Sequence, residues 1–132
     1  MNVIVDTSIW SRILRHKGQT QEKYAERLMQ LIEEGRVVML GPIRQEILSG
    51  IKEKKQFNLL TEHLTAFPDY QIITKDYEIA AEYFNICRAK GVQGSNTDFL
   101  ICAAAVNNNF SIYTSDKDFT LFKKYLPVKL ED

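Results

Sequence analysis

The sequence has little of the chemistry that cross-links small proteins or builds metal sites from soft ligands. It contains two cysteines, Cys87 and Cys102, and two histidines. The cysteines lie in apolar segments, and their spacing is not that of a zinc site. A disulfide framework and a zinc site are therefore excluded, and we interpret both cysteines as small buried side chains in a reducing compartment.

Long hydrophobic runs are also missing. The longest run, residues 99–106, covers eight positions, whereas a helix that spans a bilayer needs about 18. The first residues lack the basic start and the apolar stretch of a signal peptide. We therefore expect a soluble, cytoplasmic protein without a membrane partner.

An excess of charge of either sign is absent as well. Lysine and arginine number 17, aspartate and glutamate also number 17, and the formal net charge is zero. This balance argues against a strongly basic nucleic-acid-binding arm. The length of 132 residues and the 45% of hydrophobic residues predict one globular domain, residues 1–132.

Short apolar runs that resemble strands alternate with segments of helical periodicity. Strands are predicted at residues 3–5, 37–40, 71–73, 111–114 and 128–130. Among the helices between them, one carries Tyr24, Leu28 and Leu31 on one face, and another begins with Thr74 as its predicted cap. The alternation predicts an α/β fold with a mostly parallel sheet.

Acidic residues stand where predicted strands end or helices begin. Asp6 follows the first strand, Glu46 lies early in the helix after the second, and Asp98 opens the apolar helix. Asp116 follows the fourth strand, with Asp118 two residues later. Carboxylates that meet at one rim of a parallel sheet repel each other unless a cation lies among them. Oxygen ligands predict Mg²⁺, with Mn²⁺ as a substitute, and such a site can hydrolyse phosphodiesters.

Each acid also has a structural explanation. Asp98 and Asp118 both stand three residues after a serine, as the acid of a capping box does. Asp116 can form an Asx turn, and Glu46 can be a solvated helix residue. The sequence leaves these alternatives open.

Basic residues cluster near the first helices in spite of the neutral total. Residues 12–27 contain five lysines and arginines against two glutamates. We predict Arg12, Arg15 and Arg44 as contacts to nucleic-acid phosphates. A solvated helix face is the alternative for each of them.

Four segments of the chain resemble the sequence blocks of a known family. They are residues 5–8 (VDTS), 44–50 (RQEILSG), 96–105 (NTDFLICAAA) and 113–119 (YTSDKDF). In content and order they are similar to the blocks of PIN-domain ribonucleases, and most of all to the VapC toxins of bacterial toxin–antitoxin modules. The similarity extends over nearly the whole chain.

The resemblance implies a catalytic, metal-binding quartet of Asp6, Glu46, Asp98 and Asp116 around Mg²⁺, with Asp118 as a more variable extra acid. Asp6 and Asp98 match the positions most directly tied to the metal. The implied reaction is endonucleolytic cleavage of RNA by water that the metal activates.

The resemblance also implies the surroundings of that site. The fold would be a PIN-like three-layer sandwich, with a central, mostly parallel five-stranded sheet flanked by helices. Thr7 and Thr114 match hydroxyl positions near the metal. The implied partners are a tRNA or rRNA substrate, a second copy of the chain in a homodimer, and a small antitoxin that blocks the site.

Three other functions fit parts of the pattern. An RNA-processing or catalytically silent PIN-domain protein would share the fold. A receiver-like signalling domain would also place acids at strand ends, but it needs a second acid beside Asp6, which the sequence lacks. A protein-interaction module gives no reason for four acids at equivalent positions.

Overall fold

The elements follow the α/β alternation that the sequence predicts. The computed structural model describes residues 1–15 and 22–132, without the side chain of Arg15. Its strands are β1 (Val3–Val5), β2 (Val37–Val38) and β3 (Ser111–Tyr113). Its helices are α1 (Thr7–Arg15), α2 (Glu22–Glu33), α3 (Gly41–Leu48), α4 (Lys54–Leu64), α5 (Thr74–Ala89), α6 (Asn96–Asn108) and α7 (Asp118–Phe122).

The sheet is parallel, and β1 is its central strand. The strand order is β2-β1-β3, with Val3 beside Val37 on one side and Ser111 on the other. Every residue of β1 and β3 is buried. Because successive side chains of a strand point to opposite faces, both faces of the sheet are covered. The β-branched run Val3–Val5 suits this doubly buried position.

The prediction of five strands is wrong, because the described residues form three. Residues 71–73 form no strand, and the preceding segment touches the sheet through one parallel bridge between Met39 and Asp69. Ile73 is 52% exposed and occupies the N-cap position of α5. Pro68, just before the bridge, has no N–H to donate to a ladder.

The fifth predicted strand, residues 128–130, does not form either, and the reason is similar. Leu130 makes a single parallel bridge to Ile112. Pro127 precedes this segment and likewise cannot donate a ladder hydrogen bond. The outer segments on both sides thus extend the sheet by one bridge each.

Helix α6 connects the sheet with the helices around it. It packs on β1 and β3 and lies along α5, and its residues Phe99–Ala105 are all buried. Helix α1 contacts α2 and α3. Cys87 and Cys102 are fully buried free thiols, as predicted, and burial raises the pKa of both. Among the described helices, none is long and apolar enough to cross a membrane.

The start of α5 is capped differently from the prediction. Thr74 is the first helical residue rather than the cap. The fully buried Asp76 supplies the capping carboxylate: its Oδ2 accepts from the amide of Ile73 at 3.1 Å and from the hydroxyl of Tyr70 at 3.0 Å. Its Oδ1 accepts from Asn107 at 2.8 Å. Three donors therefore offset the desolvation of this buried carboxyl group.

Candidate active site

Asp6 lies at the carboxyl end of the central strand and is 5% exposed. Its amide donates to the carbonyl of Tyr113 at 2.9 Å, which continues the β1–β3 ladder. Its Oδ2 accepts hydrogen bonds from Ser8 Oγ at 2.7 Å and from Thr114 Oγ1 at 2.8 Å. No donor among the described residues reaches its Oδ1. Unlike Asp76, Asp6 therefore keeps one buried carboxyl oxygen for a ligand.

Residues 114–116, which we call the acidic loop, are joined to α1 through hydroxyl groups. Ser8 Oγ and Thr114 Oγ1 lie 3.2 Å apart, and Ser8 Oγ also accepts from the amide of Ser115 at 3.0 Å. Thr114 Oγ1 accepts from the amide of Asp116 at 3.0 Å. This network links the backbone that carries Asp116 to the side chain of Asp6.

Asp116 forms the Asx turn that was its structural alternative. Its Oδ1 accepts from the amide of Asp118 at 2.9 Å. The capping box predicted for Asp118 does not form, because the N-cap of α7 is Lys117 and makes no side-chain cap hydrogen bond. The exposed Asp118 contacts Asp116 through its backbone, and its carboxylate faces solvent.

Glu46 reaches the same rim from α3. Its side chain is exposed, and its Oε1 accepts from Thr7 Oγ1 at 3.1 Å. Thr7 directly follows Asp6, so this bond brings α3 to the end of β1. Glu46 is thus a solvated helix acid that is also hydrogen-bonded to the residue after Asp6.

Asp98 caps a helix and also lies at the acidic rim. It forms the capping box of α6, with its amide 3.0 Å from Ser95 Oγ and its Oδ2 3.0 Å from the amide of Ser95. Burial raises the pKa of Asp98, the hydrogen bonds with Ser95 oppose this, and the charges of Asp6 and Asp116 raise it further. The three carboxyl groups therefore act on one another electrostatically.

The donor set at this rim suits a hard divalent cation. It consists of carboxylate and hydroxyl oxygens, which Mg²⁺ and Mn²⁺ prefer. Within residues 1–15 and 22–132, no group of three His, Cys, Asp or Glu side chains is already close enough to hold a metal ion. In the same described part, the quartet carboxylates each retain one oxygen without a hydrogen-bond donor.

Arg44 has a place in the fold that the sequence did not predict. Its Nε donates to Asp69 Oδ1 at 2.9 Å, and its guanidinium also donates to the carbonyls of Leu64, at 2.9 Å, and Phe67. These bonds fasten α3 to the end of α4. Its contact with phosphate stays a prediction.

The other two predicted phosphate contacts lie on α1. Arg12 is half-buried, and its Nε donates to Ser115 Oγ at 2.8 Å. Arg15 ends α1, and its side chain lies outside the described part of the chain. Neither Ser8 nor Ser115 was predicted as a residue of the site. The adjacent hydroxyl residues after Asp6 were the signal for Ser8, whereas the bond to Ser115 depends on tertiary structure.

Comparison with known proteins agrees with this architecture. Residues 3–125 match the PIN domain. VapC ribonuclease Mb1587 of Mycobacterium bovis is 28% identical over 124 residues, which cover 92% of this chain and 92% of that protein.

Two solved structures share the fold at lower identity. The crystal structure of FitAcB from Neisseria gonorrhoeae has a TM-score of 0.78 and 20% identity, covering 98% of this chain and 96% of that chain. VapBC2 from Rickettsia felis, bound to a promoter DNA fragment, has a TM-score of 0.78 and 22% identity, covering 99% and 98%. With a family match over most of its length and the fold of these structures, the chain belongs to the PIN domain family.

Proposed function

We propose that the protein is a Mg²⁺-dependent endoribonuclease that hydrolyses phosphodiester bonds in RNA. The observation that carries the proposal is the carboxyl group of Asp6, which is buried at the end of the central strand with one oxygen fixed by Ser8 and Thr114. A buried carboxyl oxygen without a donor in the described structure is a suitable metal ligand. The similarity to a protein named a VapC ribonuclease supports RNA as the substrate.

The acids of the rim have different roles in the proposed metal site. Asp6, Asp98 and Asp116 would hold the cation, with Glu46 completing the quartet and Asp118 as a candidate for a further ligand. When bound, the divalent cation would activate water for attack and neutralise charge on the phosphate. This role requires carboxylates that are charged at neutral pH and directed towards a common point.

Two threonines keep the carboxylates in position. Thr114 donates to Asp6 and accepts from the amide of Asp116, so it sets the relative placement of two quartet members. Thr7 donates to Glu46 and directs its carboxylate towards the end of β1. Substitutions here would alter orientation without removing charge.

The biological role that fits best is the toxin of a VapBC-type toxin–antitoxin system. In this role the chain cleaves tRNA or rRNA, inhibits translation in the cytoplasm, and acts as a homodimer until a small antitoxin binds it. The support comes from structural neighbours whose names pair the two components, FitAcB and VapBC2. A cationic side chain of the antitoxin would satisfy the acidic rim in place of the metal.

Cleavage of RNA by the purified protein tests the proposal. We expect cleavage with Mg²⁺, little with EDTA, and a loss of about 100-fold or more in Asp6→Asn, because the amide removes a charged ligand while keeping the side-chain shape. The measurement is the rate at which labelled tRNA and rRNA fragments appear on a gel.

The exposed acid Glu62 on α4 provides a matched control, and Glu62→Gln should cleave at the wild-type rate. Cleavage that persists both in EDTA and in Asp6→Asn would contradict the metal mechanism. RNA binding without cleavage would instead assign the protein to the catalytically silent PIN domains.

A further inference from the structure

Arg12 is not a member of the acidic quartet, but it connects α1 with the acidic loop and with α2. It stands four residues after Ser8 on α1, so both side chains lie on the same helix face. Ser8 Oγ accepts the amide of Ser115 at 3.0 Å, and Arg12 Nε donates to the hydroxyl of the same serine at 2.8 Å. One residue of the acidic loop is therefore held to α1 by both its backbone and its side chain.

The other side of the Arg12 guanidinium faces an aromatic ring of α2. Its Cζ lies 5.0 Å from the centroid of the Tyr24 ring, within the range of a cation–π interaction. Tyr24 and Arg12 are both half-buried, which strengthens this attraction relative to an exposed pair. The guanidinium is thus placed between α2 and the acidic loop.

Ser115, the loop residue that Arg12 binds, lies between two residues that contribute to the acidic rim. Thr114, on one side of Ser115, donates to Asp6, and Asp116, on the other side, is a member of the quartet. A shift of Ser115 would therefore change the direction in which the carboxylate of Asp116 points.

We propose that Arg12 is a positioning residue, which bridges Tyr24 and Ser115 and so holds Asp116 in the orientation that binds the divalent cation. The orientation for the cation rests on the proposed function, whereas the fixation of the loop does not. The bridge depends on the Nε–H of arginine and on its planar group, not on positive charge alone. Lysine has the charge but lacks this donor geometry.

Amide hydrogen exchange of the protein without metal or RNA tests the fixation directly. We expect Arg12→Ala, Arg12→Lys and Ser115→Ala each to accelerate exchange at the amides of Ser115 and Asp116 by about 5- to 10-fold, because one hydrogen bond that closes the loop is lost. Combining Arg12→Ala with Ser115→Ala should add little to either single change.

Tyr24 supplies a variant pair that leaves both bonded residues in place. Tyr24→Leu removes the ring face and should accelerate exchange in the acidic loop, although Tyr24 is not part of that loop. Tyr24→Phe retains the ring and should restore the wild-type rate. Arg88→Ala is the matched control, because Arg88 also lies over an aromatic ring, Phe84, but on α5.

Calorimetric titration with Mn²⁺, without RNA, measures the consequence for the rim. We expect the Arg12 and Ser115 variants to bind Mn²⁺ about 10-fold more weakly, a typical effect of losing a group that orients a ligand. Wild-type exchange and wild-type Mn²⁺ affinity in Arg12→Lys and Ser115→Ala would overturn the proposal. A loss of RNA affinity alone in Arg12→Ala would assign Arg12 to phosphate binding and would also overturn it.

A failure of the proposed nuclease function can be distinguished from a failure of the proposed role of Arg12. If the wild-type protein neither binds Mn²⁺ nor cleaves RNA, the metal mechanism is contradicted. The exchange rates of Ser115 and Asp116 would still decide whether Arg12 fixes the acidic loop.

Discussion

Asp98 shows how one carboxyl group can stabilise a helix end and still destabilise the protein when it is charged. Its Oδ2 caps α6, yet burial raises its pKa, and the charges of Asp6 and Asp116 add to this despite the bonds with Ser95. The folded protein therefore binds this proton more tightly than the unfolded chain does. Stability that depends on Asp98 is highest at low pH and falls as the pH rises from the ordinary carboxyl range through the raised pKa.

Asp98→Asn should stabilise the metal-free protein and abolish cleavage. The asparagine Oδ1 can still accept from Ser95, while the cost of a buried negative charge disappears. We expect the melting temperature at pH 7 to rise by about 3 °C, and its fall as the pH rises above the ordinary carboxyl range to become weaker. Scanning calorimetry in EDTA measures both.

Asp118→Asn is the control for charge at a helix start, because Asp118 is an exposed acid in the first turn of α7. It should give no gain in melting temperature. A lower melting temperature for Asp98→Asn in EDTA would show that its capping bond outweighs the charge cost. Added Mg²⁺ should raise the melting temperature of the wild type but not that of Asp98→Asn.

At the scale of elements, the connection from α5 to α6 depends on close packing against aromatic rings. A Cβ atom on Gly94 would lie 2.6 Å from Phe122 Cζ and 3.0 Å from two ring atoms of Phe99. Both rings are buried and pack against each other, with centroids 4.9 Å apart. This contact fixes the position of Gly94, which directly precedes Ser95, the N-cap residue that Asp98 binds.

Gly94→Ala should therefore destabilise the protein by about 2 kcal/mol, because the added methyl group would overlap two buried rings and force them to shift. The cost should appear as a lower midpoint in urea denaturation and as slower cleavage, since the start of α6 would shift. Gly41→Ala is the matched control: its nearest atom would be Asp69 Oδ2 at 3.9 Å, an ordinary contact. Equal midpoints for the two variants would contradict the packing argument.

The elements also show where sequence reasoning succeeds. The buried strands carry β-branched or apolar runs, and Asp6 follows such a run directly, so their positions could be predicted from local pattern. The outer segments could not, because one bridge and a preceding proline give no extended pattern. The cap of α5 was missed since Asp76 is acidic, buried and bonded to a residue far along the chain, Asn107.

Within the site, the residue types were predictable and the bonds between them were not. The acids stand at strand ends and helix starts, which follow from local sequence. The bond from Arg12 to Ser115 joins residues that are distant in sequence, and the three contacts of Arg44 depend on where α4 ends. Tertiary contacts of this kind have no local pattern.

At the scale of the whole molecule, Glu131 joins the final segment to three other regions. Its Oε1 pairs with Arg27 of α2 and, at 3.3 Å, with Arg36, and its Oε2 accepts from the buried Ser111 of β3 at 2.8 Å. Burial acts to raise the pKa of Glu131, but the bonds from Ser111 and Arg27 and the arginine charges outweigh it and lower the pKa. Its contribution is present above the unfolded pKa and is lost as the pH falls through the folded value.

Glu131→Gln should lower the stability at pH 7 by about 1 kcal/mol, or roughly 4 °C in melting temperature. The difference from wild type should shrink towards pH 3, because the glutamate takes up a proton as the pH falls through its lowered pKa. Glu34→Gln is the control, because Glu34 also pairs with Arg36, at 3.0 Å, but is 50% exposed. A difference that is the same at pH 7 and pH 3 would show that the charge of Glu131 contributes nothing.

The central place of β1 has a consequence for the order in which the protein is made. Val3 pairs with Val37 on one side and with Ser111 on the other, so β1 lacks one of its two neighbours until residue 111 has been synthesised. Asp6 likewise waits for Thr114 and Asp116 to complete its surroundings. A nascent chain therefore cannot assemble the acidic rim before residues 114–116 have been made and have left the ribosome.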